Sequence, residues 1–413
     1  MTADLVIHDA AEVVEIDDEG TVQTHEDAAI AVVDGEIASI GPATEVIREH
    51  PPAETDRAID ATGKTVIPGF VDPHTHALFA GDRSDEFEAK LQGKSYQEIM
   101  AEGGGILRTV RATRETSDEA LLSNLLSHLD RMLAYGTTTV EVKSGYGLDT
   151  ETELRMLDVI RRADERHPVD LVPTFMGAHA VPDGIDADEY VAEVVDEQLP
   201  AVAGQGIAEF CDVFCEEGVF SVEQSRRVLE AGAEHGLTPK VHAEEFTRLG
   251  GTQLAADVGA TSADHLLYAT DEDAQALAET GVVPVFLPGT AFGLGEEYAA
   301  PEPFQEAGAP VALATDFNPN CHTRSMSFAV ALGCVEMGLT PAEALVAATR
   351  NAALAVDRPG RGRLCEGVPA DLAVVDAPSY VHVPYTWGEN LVEVVFKEGE
   401  IAYEADHGRA SSP

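Results

Sequence analysis

The sequence predicts an α/β protein: a (β/α)8 TIM-like barrel with a small β-sandwich domain formed from both termini. Three observations carry that reading. Both ends of the chain are short β-prone runs broken by turn signals, the middle alternates strand-like and amphipathic helical stretches, and roughly eight strand-like runs occupy that middle, the number such a barrel needs. A chain of 413 residues that is 44% hydrophobic can bury a core of this size.

The N-terminal runs are Leu5-Val6-Ile7, Ala29 to Val33 and Glu36 to Gly41, with Asp34-Gly35 as a hairpin turn. At the other end Asp371 to Asp376, Val392 to Phe396 and Gly399 to Ile401 read the same way, so residues 1–65 and 360–413 are expected to form one composite β domain. Residues 66–359 are expected to form the barrel. Its strands are predicted near Val66-Ile67, Thr138 to Val142, Asp170 to Phe175, Ala208 to Val213, Pro239 to Val241, Thr261 to Ala263, Val282 to Phe286 and Pro310 to Ala314. Leu121, Leu122, Leu125, Leu126, Leu129, Met132 and Leu133 follow helical spacing. Thr340-Pro341 followed by Glu343 is a helix-start signal.

Acidic residues outnumber basic ones 74 to 26, a formal charge of −48. Such a field repels nucleic acid and anionic membranes. The acid is spread along the chain, as on a solvated surface, and the expected setting is a halophilic cytoplasm whose salt screens the self-repulsion. The five cysteines form no C-x-x-C pair and are expected to be reduced thiols. The sequence shows no signal-peptide pattern and no apolar window long enough to span a bilayer.

Chemistry enters with Pro68-Gly69-Phe70-Val71-Asp72-Pro73-His74-Thr75-His76. Residues i and i+2 of an extended chain share a face, so His74 and His76 can grip one ion from one side. His242, His265 and Asp316 each close a further apolar run, where a buried ionisable group is costly unless paired or bound. Five such positions at strand ends suggest a metal centre at the C-terminal mouth of the barrel. Imidazoles plus one carboxylate suit Zn2+ or Fe2+/Fe3+ better than Mg2+ or Ca2+. Three His and one Asp would leave one position on a single ion for an activated water. His265, left off the metal, Glu245 and Asp316 are candidates for handling the proton.

The segment Pro68 to His76 resembles the amidohydrolase superfamily signature, and finer blocks resemble the imidazolonepropionase family. These blocks are Phe79 to Arg83, Glu102 to Ile106, Val142 to Leu148, Phe175 to His179, His242 to Glu245, Ser262 to Leu266 and Thr315 to Pro319, in order over essentially the whole chain. The resemblance implies hydrolysis of the cyclic amide 4-imidazolone-5-propanoate to N-formimidoyl-L-glutamate. It implies His74, His76, His242 and Asp316 as ligands of one zinc or iron ion per subunit, substrate contacts at Arg83, Tyr146, His179, Glu245 and Asn318, and a homodimer. Arg83 suits the propionate of that substrate, because a guanidinium binds carboxylates in a two-pronged fork.

The chain departs from the family after Asn318-Pro319, where Asn320-Cys321 replaces Gly and a small hydroxyl residue. Asn320 and Cys321 are nevertheless carried as candidate substrate contacts, with a thiol as the weaker partner. Lys143 raises the question of a carbamylated lysine bridging two metals; its Ser-Gly-Tyr-Gly context favours a mononuclear site. Gly103-Gly104-Gly105 lacks a phosphate-loop pattern and reads as a lid or a plain turn. Two rival functions are a deaminase of a guanine- or cytosine-like base, using the same metal and water, and a non-catalytic scaffold, which retention of all four ligands disfavours.

Overall fold

The computed structural model describes residues 3–94, 98–99 and 102–406. The chain enters through β1 (Leu5–Ile16), β2 (Val22–Val33), β3 (Glu36–Pro42), β4 (Arg57–Asp60) and β5 (Thr65–Pro68). Eight strands follow: β6 (Phe70–Asp72), β7 (Thr137–Lys143), β8 (Asp170–Ala178), β9 (Phe210–Cys215), β10 (Thr238–Ala243), β11 (Ser262–His265), β12 (Val283–Phe286) and β13 (Ala312–Leu313). The chain closes with β14 (Leu372–Val375), β15 (Val392–Lys397) and β16 (Glu400–Glu404).

The terminal strands form one mixed sheet in the order β16-β15-β14-β5-β1-β2-β3, with β4 also paired to β1. Asp34 and Gly35 both take positive φ, 53° and 78°, giving the β2–β3 hairpin the predicted two-residue turn. A register shift between Ile7 and Ala10 divides β1, so its first half pairs with β4 and its second with β5. The sheet curls over its own apolar core, which includes Ile7, Val13, Ile30, Leu372 and Phe396. Its far edge is tied back by Ile37 N–H to the Val368 carbonyl (2.9 Å) and Ala370 N–H to the Gly35 carbonyl (2.9 Å).

Strands β6 to β13 form the second sheet, parallel throughout and in sequence order. One expectation is corrected here. Val66-Ile67 is not the first barrel strand; it lies in β5 of the terminal sheet, paired with β1 and β14, and the barrel begins at Phe70. The crossing between the sheets is Gly69, where a Cβ would lie 2.5 Å from the Thr138 side chain, so only glycine fits. The terminal sheet therefore runs on to Pro68, beyond residue 65.

Helices cover the barrel. Asp118–Ala134 buries Leu121, Leu122, Leu125, Leu129, Met132 and Leu133, the predicted stripe, and starts at Ser117, whose side chain accepts from Ala120 N–H. Thr340 and Glu343 form the capping box of Pro341–Ala347. Between β6 and β13 the ladder gives way to a seam just beyond the strands. Thr75 bridges Phe317, His76 N–H donates to the Phe317 carbonyl (2.9 Å), and Asp316 N–H donates to the His74 carbonyl (3.2 Å). Asp72 strengthens it by accepting from Thr315 N–H (3.1 Å) and Thr315 Oγ1 (2.5 Å). No helix among the described residues is long and apolar enough to cross a membrane.

Candidate active site

The seam delivers His74, His76 and Asp316 to the mouth of the barrel, and β10 and β11 deliver His242 and His265 beside them; all five are buried. The nearest ligand atoms of His74, His76 and Asp316 lie within 4.8 Å of one another, and so do those of His74, His242 and His265. His74 Nε2 is 3.6 Å from Asp316 Oδ1, His76 Nε2 is 3.8 Å from the same oxygen, and His76 Nε2 is 3.3 Å from His242 Nε2. His265 (φ 82°) and Asp316 (φ 50°) hold left-handed backbone conformations that non-glycine residues rarely adopt.

Side chains behind the histidines fix which ring nitrogens face the centre. His74 Nδ1 is 2.6 Å from Asp264 Oδ2, and His242 Nδ1 is 3.1 Å from Asp212 Oδ1. With Nδ1–H donated to a carboxylate, each ring turns an Nε2 lone pair inward. His74 Nε2 has no hydrogen-bond partner although it is buried. A lone pair at His74 Nε2, another at His242 Nε2 close to His76, and the Asp316 carboxylate form a donor set that lacks protons and fits a cation.

Beneath lies a charged layer inside the barrel. Lys143 Nζ reaches Asp212 Oδ2 (2.7 Å) and Glu141 Oε2 (2.8 Å), and Lys240 Nζ reaches Glu141 Oε1 (3.0 Å) and the Pro73 carbonyl (3.0 Å). Burial opposes a charge on Lys143, but Asp212, Glu141 and Asp264 outweigh it and hold the ammonium above its usual range. A lysine committed in this way is not the free amine that carbamylation needs, in keeping with the mononuclear expectation.

Burial makes His265 and His179 hard to protonate, His179 down to about 3, and pushes Glu245 well above the usual carboxylate range, with Asp316 and Glu216 adding to the rise. Glu245 Oε2 sits 3.7 Å from His265 Nε2. The neighbouring Glu244 faces the other way and caps helix Gly251–Asp257, accepting from the N–H groups of Gly250 (2.7 Å), Gly251 (2.8 Å) and Thr252 (2.7 Å).

Tyr146 and His179 join the cluster. The His179 ring stacks on His76 at 4.7 Å and 18°, and Tyr146 lies 5.9 Å from His76 and 5.2 Å from His179. His179 Nδ1 meets the Gly145 carbonyl at 3.0 Å and must donate to it, which leaves Nε2 as an acceptor. Arg83 is buried at the head of helix Ser84–Leu91, with Nε donating to Glu86 Oε2 (2.8 Å).

The loop after β13 differs from expectation. The Asn318 side chain is engaged in its own turn, donating to the Asp316 carbonyl (2.8 Å) and accepting from Asn320 N–H (2.7 Å) and Cys321 N–H (2.9 Å). Asn320 Oδ1 accepts from Lys90 Nζ (2.8 Å), and the buried Cys321 thiol points at the Thr315 carbonyl (3.5 Å). The structure thus gives the side chains of Asn320 and Cys321 protein partners rather than grouping them with the histidines. Sequence reasoning also passes over Asp72, Glu141, Asp212, Lys240 and Asp264. Their signal is present in the chain: single charges set inside otherwise apolar strands.

Comparisons with known proteins agree with this geometry. Residues 65–402 match the amidohydrolase family. An imidazolonepropionase of Haloarcula marismortui is 67% identical, covering 98% of this chain and 97% of its own. One of Geobacillus kaustophilus is 49% identical, covering 91% and 90%. Among solved structures, an adenosine deaminase from Xanthomonas campestris with bound zinc superposes with a TM-score of 0.74 at 19% identity, covering 97% of this chain and 93% of that one. That likeness concerns the fold alone. With full-length similarity of this order, the chain belongs to the amidohydrolase family and, within it, to the imidazolonepropionases.

Proposed function

We propose that this hydrolase opens the ring of 4-imidazolone-5-propanoate by adding water across a ring C–N bond, releasing N-formimidoyl-L-glutamate. The observation that carries the reading is the gathering of His74, His76, His242 and Asp316 at the mouth of the barrel, with the Nε2 lone pairs of His74 and His242 turned inward. We assign those four residues as ligands of one zinc or iron ion. Bound there, such an ion supplies Lewis acidity, polarising an amide carbonyl and bringing the pKa of a water to roughly 7.

The remaining work belongs to the side chains. Arg83 pairs with the propionate and sets the ring's position. Tyr146 and His179 wall the ring, and His179 Nε2 accepts a ring N–H. His265, kept neutral by burial, accepts a proton from the attacking water. His265 returns that proton to the departing ring nitrogen, directly or through Asp316. Glu245, whose carboxyl is pushed well above the usual range by burial, contacts the substrate. Asp212 and Asp264 hold His242 and His74 in orientation.

The diffuse charge of −48 supports operation in concentrated salt in a cytoplasm, and a homodimer is the assembly to test by light scattering. The deciding experiment follows ultraviolet loss of the imidazolone ring in molar KCl, with and without a chelator. Chelator-sensitive loss yielding formimidoylglutamate is expected. A folded, metal-loaded protein that leaves the ring intact while releasing ammonia from a guanine- or cytosine-like base would overturn the assignment.

A further inference from the structure

Helix Ser84–Leu91 is inside out. Its outward positions carry Phe87, 52% exposed, and Leu91, 73% exposed. Its inward face carries charge at 83, 86 and 90, spaced i, i+3, i+7: Arg83 and Glu86 are buried and Lys90 is half-buried. A helix that spends apolar residues on solvent and turns charge inward is covering something polar.

Lys90 stands apart from the other lysines. The chain has six, at 64, 90, 94, 143, 240 and 397. Five have a carboxylate oxygen within 3.0 Å. Among the described residues Lys90 has none within ion-pair distance; its ammonium donates to the amide oxygen of Asn320 instead, at 2.8 Å. In a chain with 74 acidic side chains that gap is unusual. Glu86 does not fill it, because it already accepts from Arg83 Nε (2.8 Å), Gly105 N–H (3.1 Å) and Arg108 Nη1 (3.4 Å). Asn320 lies on the loop that begins at Asp316, so the Lys90 ammonium sits between the Arg83 helix and the loop carrying a metal-ligand candidate. Two cations share one helix face with one committed carboxylate between them, and one of them is tied to the loop that begins at Asp316.

We infer that Lys90 is a second anchor for the substrate's carboxylate, acting with Arg83 as a specificity-determining residue. The inference rests on the imidazolonepropanoate reading. An ammonium has three N–H donors; one holds Asn320, and among the described residues the others meet no carboxylate, so a substrate's carboxylate can take them.

The test is Lys90→Met, checked for unchanged metal content and melting temperature, and assayed at fixed KCl on imidazolonepropanoate and on its uncharged propionamide analogue. A charge-assisted hydrogen bond predicts a rise in KM of about tenfold to a hundredfold for the carboxylate substrate. The kcat and the KM for the amide should stay within about threefold of the wild type, and Lys90→Arg should largely restore the carboxylate KM. An unchanged carboxylate KM, or equal losses on both compounds, would show that Lys90 only holds the Asn320 loop and would overturn the inference. If Lys90→Met fails to fold, Lys90→Gln serves instead, with the same rise in the carboxylate KM expected and the same unchanged KM overturning the inference. A wild type inactive on imidazolonepropanoate would refute the functional reading itself, a result distinct from any of these.

Discussion

The described residues form two eight-stranded sheets whose interiors differ in one respect: only the barrel adds a layer of charge to its hydrocarbon. The terminal sheet curls around Ile7, Val13, Ile30, Leu372 and Phe396, an interior of hydrocarbon. The barrel strands bury an apolar cluster that includes Val71, Val172, Phe210 and Val285, and with it the charged Glu141, Lys143, Asp212, Lys240 and Asp264, all fully buried. Replacing a buried ion network with apolar side chains is often neutral or stabilising, so the barrel's charges are not explained by stability. Asp264 and Asp212 orient His74 and His242, and Lys143 in turn ties to Asp212. The contrast separates a core that only has to persist from one that has to orient ligands.

Four substitutions probe the contrast. Asp316→Asn should lower kcat by about a thousandfold or more, with loss of bound metal measured by elemental analysis. Retained turnover would remove Asp316 from the centre. Asp212→Asn keeps the shape but weakens the hold on His242, and should reduce metal affinity about 10- to 100-fold in a chelator competition. An affinity unchanged from wild type would make the charged layer merely structural. Leu372→Ala, in the terminal sheet, should cost about 2–5 kcal/mol of stability in a denaturant titration while leaving kcat unaltered. A drop in kcat would mean the sheets are coupled. Thr340→Ala removes the exposed cap of helix Pro341–Ala347 and should cost about 1 kcal/mol in the same titration.

Legibility in the sequence follows the same divide. Parts of β1 and β2, the strands β3, β14, β15 and β16, and the His74, His76, His242, His265 and Asp316 cluster are readable, because turn residues and polar strand ends stand out locally, whereas β4 carries no such signal. Val66-Ile67 reads wrongly as a barrel strand because two short apolar strands, β5 and β6, follow one another with only Gly69 between them. Parallel strands covered on both faces lose their alternation, so nothing local tells whether Lys143 or Asp212 points into the barrel. Glu244 and Glu245 are adjacent in sequence, and only the fold separates the helix cap from the carboxylate facing His265. The roles of Asn320 and Cys321 depend on Lys90 and Thr315, partners that the sequence does not bring beside them.

The seam between β6 and β13 has a consequence for synthesis on the ribosome. His74 leaves the exit tunnel early, yet Asp316 and the Thr75–Phe317 bridge belong to the far end of the barrel. The terminal sheet has the same dependence, because β5 waits for β14. A nascent chain arrested before Asp316 therefore holds histidines but no centre, and one arrested before Leu372 has a barrel with an open flank. The four candidate ligands are brought together only in a chain that has been extended past Asp316.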